Sequence, residues 1–277
     1  MIGNFRLPIS LTSGDTTAPP YVRQTDWLDI DSLVVDGDHK FVGLHAIFEY
    51  SNFVSLSASG AYTVDWGDGI VENYATGVQS YHQYDYNSSE FTGTESSRGY
   101  RQAIVTVTPQ AGQILTNIDL NKKHNQVGLN NYSSGWLDVK ISGASISSLF
   151  MSGTSVSSAI LEQFSFIGLN AVTSMYQMFS GCSSLSSVPL FDTSSVTNMT
   201  QTFYQCSSLS KGALLGTSIG VDYDNAKLSA PTLVDVFNNL AIVTVATSIK
   251  ITGNWGAPLL TPTEKAIATN KGWTIIE

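Results

Sequence analysis

The sequence predicts a mainly β fold with short helices: a small antiparallel sandwich followed by a curved array of stacked repeats. Three observations carry this. Runs rich in branched and aromatic residues, bounded by Gly, Ser and Asn, fill residues 40–109. The phrase VTSMYQMFSGCSSL, ending at Leu185, returns 24 residues later as VTNMTQTFYQCSSL, ending at Leu209. Charged residues make up only 13% of the 277, about half the usual share. Hydroxyl and amide side chains replace them, a surface chemistry typical of extracellular β-rich proteins.

Taken in order, residues 1–34 hold no clear period and carry Pro19-Pro20, so they are expected to form an extended arm that could order against a partner. Residues 35–113 read as the sandwich, with strands expected at KFVGLHAIFE, NFVSLSAS, AYTVDW and QAIVTVTP. A long polar insertion between Asn73 and Tyr100 holds Tyr74, Tyr81, Tyr84, Tyr86 and Phe91. Such a cluster is either the rim of the sandwich or a platform for stacking sugars.

Residues 114–277 read as the repeat array with a C-terminal capping unit. Val196, Met199, Phe203 and Cys206 fall at i, i+3, i+7 and i+10, the stripe of a 3.6-residue helix. Each helix–strand unit has an apolar face that only a stacked copy can bury. Helices cannot approach as closely as strands, so the array is expected to curve with its strands inside. The same spacing, roughly 8–10 Å between helix axes, puts Cys182 and Cys206 beyond disulfide reach, so both are expected as buried thiols. Two later helices carry start signals. Ser229 precedes Pro231, and Thr261 stands three residues before Glu264 with Pro262 between them.

Composition narrows the partners. The net charge is −9 and no basic cluster exceeds Lys122-Lys123, which argues against nucleic acid. No apolar run approaches a membrane span, so no membrane insertion is expected. The start lacks a basic segment followed by a long apolar one, so no secretory signal is expected. A particle released by lysis, or loss of a leader, reconciles that with the extracellular composition.

Chemistry is sparse. Asp65 and Asp68 could serve as a glycosidase pair, or bind calcium with Glu72 or Asp85. In a Gly-flanked turn they are expected instead to accept backbone N–H bonds. The histidines at 39, 45, 82 and 124 show no ligand spacing, and no G-x-S-x-G elbow or phosphate loop is present. No enzyme activity, metal or cofactor is expected.

The residues in hand resemble two families. FDTSSVTNMTQTFYQCSSL resembles the leucine-rich repeat of BspA-like bacterial surface proteins over 172–210. YTVDWGDG, with His82-Gln83-Tyr84 and VTVT ending at Thr108, resembles PKD domains, which are immunoglobulin-like sandwiches. Together with the C-terminal stretch, the combination resembles virion proteins of tailed phages. The resemblance implies a PKD-like sandwich followed by a leucine-rich-repeat-like solenoid. It implies a structural and adhesive tail fibre or other host-contacting appendage on the virion surface. The arm would dock to other virion proteins, the protein would be a homo-oligomer in the particle, and the array would contact a host glycan or protein. Capsid or tail decoration and a bacterial surface adhesin or glycan-binding module are the alternatives. Candidate contact residues are Ser187, Pro189 and Phe191 on the inner strand surface, opposite buried Val188 and Leu190, and Tyr176, Gln177, Gln201 and Tyr204 on the helix side.

Overall fold

Strand β1 (Lys40–Ile47) is buried along nearly its whole length. Burial on both faces explains why KFVGLHAI shows no apolar–polar alternation. The computed structural model describes residues 21–124, 131–132, 135–151 and 159–277, and these described residues are mainly β with two short α-helices. After β1 come β2 (Phe53–Ser59), β3 (Tyr62–Asp65), β4 (Val71–Tyr74), β5 (Gln79–Gln83), β6 (Arg101–Pro109), β7 (Asn117–Asp119), β8 (Lys123–His124) and β9 (Asn131–Tyr132). Then follow β10 (Trp136–Gly143), β11 (Ser148–Phe150), β12 (Gln163–Asn170) and β13 (Val221–Asp222). The chain closes with α1 (Ala230–Asn239), β14 (Thr247–Lys250), α2 (Pro262–Thr269) and β15 (Trp273–Ile276).

A six-stranded sheet runs β12-β10-β1-β6-β3-β4, and a four-stranded sheet runs β11-β7-β2-β5. The sheets are mixed: β10 pairs with β12, and β7 with β11, in parallel, while the remaining pairs are antiparallel. Phe41 and Ile47 of β1 join a large core with Leu56, Val64 and Val105. Val42, Leu44 and Ala46 face a smaller cluster with Trp27, Ile30, Val34 and Leu137.

That smaller cluster changes the reading of the N-terminus. Residues 21–34 do not form an extended arm; residues 1–20 lie outside the described residues. Trp27, Ile30 and Val34 cover the outer face of the six-stranded sheet, which would otherwise expose an apolar surface. The Trp27 indole N–H donates to Tyr100 Oη at 2.8 Å. Arg23 donates to the Trp27 and Leu28 carbonyls and pairs with buried Asp138 at 3.1 Å.

The expected boundary at 113/114 also differs from the pairing. β10 lies beside β1, with Phe41 opposite Ile141, and β7 lies beside β2. Both sheets are completed by strands from beyond residue 113. The shift in rhythm at 114 does not begin a new core: β10, at eight residues, is as long as β1 and packs into the same one.

The repeated phrases are tight turns, not the expected helices. Met178 N–H donates to Met175 O, Cys182 N–H to Phe179 O and Leu185 N–H to Cys182 O, each three residues back. Alternate amides point instead to the next copy of the phrase. Met175 donates to Asn198 O at 2.8 Å, Gln177 to Thr200 O at 3.0 Å, Phe179 to Thr202 O at 3.0 Å and Gly181 to Tyr204 O at 2.8 Å. An α-helix satisfies its amides internally; these rungs spend half of theirs on a neighbour. Parallel bridges line up in columns, Ser148–Ser174–Asn198, Gln163–Ser187–Lys211 and Asp192–Leu215. The apolar stripe is buried as its spacing implies, through Val196, Met199, Phe203, Cys206 and Leu209. Phe179 and Phe203 stack at 5.4 Å and 5°, and Phe203 stacks on Tyr223 at 5.0 Å. Rings in successive copies stack 5.4 and 5.0 Å apart, closer than the helix spacing on which the expected curvature rested.

Cys182 and Cys206 are buried thiols, but not because helices hold them apart. Each reaches back one rung: Cys206 Sγ donates to Phe179 O at 3.0 Å and Cys182 Sγ to Met151 O at 3.3 Å. Burial pushes the Cys206 thiol well above its ordinary pKa. At the C-terminal end, both helix starts form as read. Ser229 caps α1, and Thr261 with Glu264 makes a reciprocal capping box on α2. Lys271 Nζ donates to the carbonyls of Phe237, Asn238 and Leu240 at the end of α1.

Candidate functional site

The W-G-D-G turn between β3 and β4 is the first place to look for chemistry. Asp65 Oδ1 accepts from Gly67 N at 3.0 Å and Asp68 Oδ1 from Ile70 N at 3.2 Å. The other oxygen of Asp68 meets His82 Nε2 at 2.7 Å. His82 in turn stacks on Trp66 at 5.3 Å and meets the edge of Tyr84 at 4.8 Å. Trp66 and Tyr74 both donate to Glu72. These contacts tie the turn to the strands. Among the described residues no group of three metal-ligating side chains converges. His45 is buried between Trp136 and Tyr84, and burial holds its imidazole neutral, with the pKa pushed down to about 3. The aromatic insertion packs inward: Tyr84, Phe91 and Tyr100 are buried, Tyr74 stacks on Tyr62 and Tyr86 lies under Arg101. It forms core and rim, not an open stacking platform.

The seven candidate contact residues fall on two separate stretches of the rungs. In the first, Ser187 bridges Gln163 and Lys211 in its column and Pro189 is exposed. Phe191 is a correction: it is buried against Phe166 at 4.9 Å, while Leu190 is 54% exposed. Alternation breaks there because Leu190 and Phe191 sit at a corner between two bridge columns, where the pleat is interrupted. In the second stretch, Tyr176 is 40% exposed and Gln177 Nε2 donates to Gln201 Oε1 at 2.7 Å. Tyr204 is half-buried, with its hydroxyl 3.5 Å from Gln205 Nε2. Gln177 and Gln201 both have positive φ, 51° and 56°, a conformation that costs a non-glycine residue roughly 1 kcal/mol or more.

A pocket of ≈ 200 Å³ opens beside Gln201. Its origin is a change in rung length. Phe203 follows Phe179 by 24 residues, but Tyr223, the next ring in the column, follows Phe203 by only 20. The shortened rung presents β13 as the edge of a three-stranded parallel sheet. Met199, Thr200 and Gln201 form one wall; Gly220, Val221, Asp222, Ser248 and Lys250 form the other. Met199 and Val221 are buried and apolar. Asp222 Oδ1 accepts from Asp224 N at 2.9 Å, and its Oδ2 lies 3.7 Å from Lys250 Nζ.

Comparison with known proteins covers part of this region. Residues 144–214 match the family DUF285, described as a Mycoplasma protein of unknown function. No curated protein and no solved structure is detectably similar to the chain. The DUF285 match takes in the two repeated phrases and the Met199–Gln201 wall of the pocket. It stops before the opposite wall.

Reading the sequence alone found Gln201 and missed the rest of the pocket. Asp222, Ser248 and Lys250 come from strands outside the repeated phrase, and nothing in their spacing brings them to Gln201. One signal was available. The repeat shortens after Leu209, and a shortened rung leaves room against a full one.

Proposed function

We propose that this protein is a structural and adhesive component of a tailed-phage particle, a tail fibre or another appendage that meets the host surface, and that it performs no catalysis. Its architecture in this reading is a PKD-like sandwich continued by a BspA-like, leucine-rich-repeat-like solenoid. The observation that carries the reading is the stacked rung. Backbone bonds repeated every 24 residues hold Tyr176, Gln177, Gln201 and Tyr204 on an ordered surface that does not depend on charge. Such a surface suits extended recognition of a partner. Docking to the particle falls to segments other than residues 21–34, since those are committed to the sheet.

A second reading, a bacterial surface adhesin, is favoured by the DUF285 match to a Mycoplasma family. Immunogold labelling with antibody to the full chain separates the two. Gold at the tail tips or fibres of purified particles is expected. Gold spread over the capsid shell would replace the adhesive reading with decoration, and gold on bacterial envelopes alone would favour the adhesin.

A further inference from the structure

We infer that the pocket at the shortened rung binds a single neutral hexose residue of a surface glycan. As the ligand of an adhesive face, this rests on the reading above. At ≈ 200 Å³ the pocket is smaller than the several hundred Å³ typical of sites for drug-sized ligands. It suits one ring and not a chain.

Its lining has the two halves a sugar ring requires. Met199 and Val221 lie buried beneath the pocket, and the carbon stems of Gln201 and Lys250 with the Thr200 methyl give the apolar surface that the C–H face of a pyranose would meet. Thr200, Gln201, Ser248, Asp222 and Lys250 supply hydroxyl, amide and charged groups around the rim. The Asp222–Lys250 pair decides the ligand class. At 3.7 Å the two are too far apart for a direct hydrogen bond, whose N···O distance is about 2.7–3.2 Å. A hydroxyl seated between them donates to the carboxylate and accepts from the ammonium, and neighbouring ring hydroxyls serve both at once. The pair carries no net charge, so an ion of either sign gains less from it than from a lone charge. A phosphate would meet Asp222 oxygen, and a divalent cation would find one carboxylate beside an ammonium.

The amide ladder prepares the remaining contact. Gln177 occupies the Gln201 oxygen at 2.7 Å. The Gln201 NH₂ makes no hydrogen bond among the described residues and stands at the pocket wall. Tyr176, at the position equivalent to Thr200 one rung away, is partly exposed but does not line the pocket.

The test is a titration of ¹⁵N-labelled full-length protein with the methyl glycosides of glucose, galactose, mannose and N-acetylglucosamine. At least one should shift the amides of Gly220, Val221, Asp222, Ser248 and Lys250. A Kd of about 1 mM is expected of a ligand of about 13 non-hydrogen atoms. Lys250→Met and Asp222→Asn should each weaken binding about tenfold, the loss of one charge-assisted hydrogen bond. Gln201→Gly, which suits the positive φ, should weaken it about threefold. Melting temperatures show that the variants fold. If none of the four glycosides moves these amides at about 100 mM, or if the shifts survive all three substitutions, the inference is wrong. Sugar binding by a protein that immunogold places on the capsid shell would retire the adhesive reading and leave the site standing. A fibre position without sugar binding would do the reverse.

Discussion

Replacing Arg23 by Met tests whether the N-terminal segment is part of the fold. Asp138 is 1% exposed, and burial pushes its carboxyl above the ordinary carboxylate range despite the attraction of Lys140 and Arg23. Arg23 Nε lies 3.1 Å from Asp138 Oδ2, whereas Lys140 Nζ stands 3.9 Å from Oδ1 and 2.7 Å from Asp31. Removing Arg23 strands a buried carboxylate whose remaining cation is longer-range and shared. Breaking such a pair costs about 3–5 kcal/mol; Lys140 places the expectation near the lower end, roughly 3 kcal/mol at neutral pH. The pH dependence has a definite sign. A buried acid with a raised folded-state pKa weakens the fold above that pKa and is relieved as the pH falls through it, because it then takes up a proton. In Arg23→Met the pKa rises further, so the penalty relative to wild type should shrink between neutral pH and about pH 4.5. The assay is urea denaturation followed by tryptophan fluorescence, on wild type, Arg23→Met, Asp138→Asn and the double variant. The double variant should recover roughly 1–3 kcal/mol relative to additivity. An Arg23→Met protein within about 0.5 kcal/mol of wild type at neutral pH, or a penalty unchanged by pH and additive with Asp138→Asn, would refute the reasoning.

Other expectations follow from the rungs and the C-terminal cap. Phe179→Ala should cost roughly 3–5 kcal/mol, because the ring fills the column between Phe164 and Phe203. A Phe179→Leu and Phe203→Leu cycle, read by denaturation, should show a coupling of about 0.5–1.5 kcal/mol from the stacked pair; zero coupling would mean the rings pack independently. Neither cysteine should react with a thiol reagent in the native protein, and both should after unfolding, as counted by absorbance; one thiol reacting natively would mean that a rung opens. Lys271→Met should lower stability by roughly 1.5–3 kcal/mol through three carbonyls left at the end of α1. Hydrogen exchange should then quicken in α1 and β15 first; uniform protection would sink that assignment.

How much of this was legible depends on whether a feature is local. The caps on α1 and α2 could be read because Ser229, Thr261 and Glu264 act within one helical turn. Strands β1, β2, β3 and β6 could be read from their branched and aromatic content. The burial of Val196, Met199, Phe203 and Cys206 was visible, but their geometry was not. A stripe at i, i+3, i+7 and i+10 is what a helix buries, and it is also what three-residue turns bury when every rung stacks on its copy. Residues 21–34 read as featureless because Trp27, Ile30 and Val34 each fill one place on a sheet made by distant strands. The pocket was illegible for the same reason, since its walls meet only through the stacking of unequal rungs.

The direction of the hydrogen bonds between rungs has a mechanical consequence. Met175, Gln177, Phe179 and Gly181 all point their amides along the line on which one copy follows the next. Traction applied along that line would load the bonds of one interface together and successive interfaces in series, so the weakest interface yields first while the others hold. The shortened rung, where a pocket lies between Met199–Gln201 and β13, is the interface expected to yield first. A tether built this way would lengthen in steps under shear and close again when the pull is released, instead of failing at once.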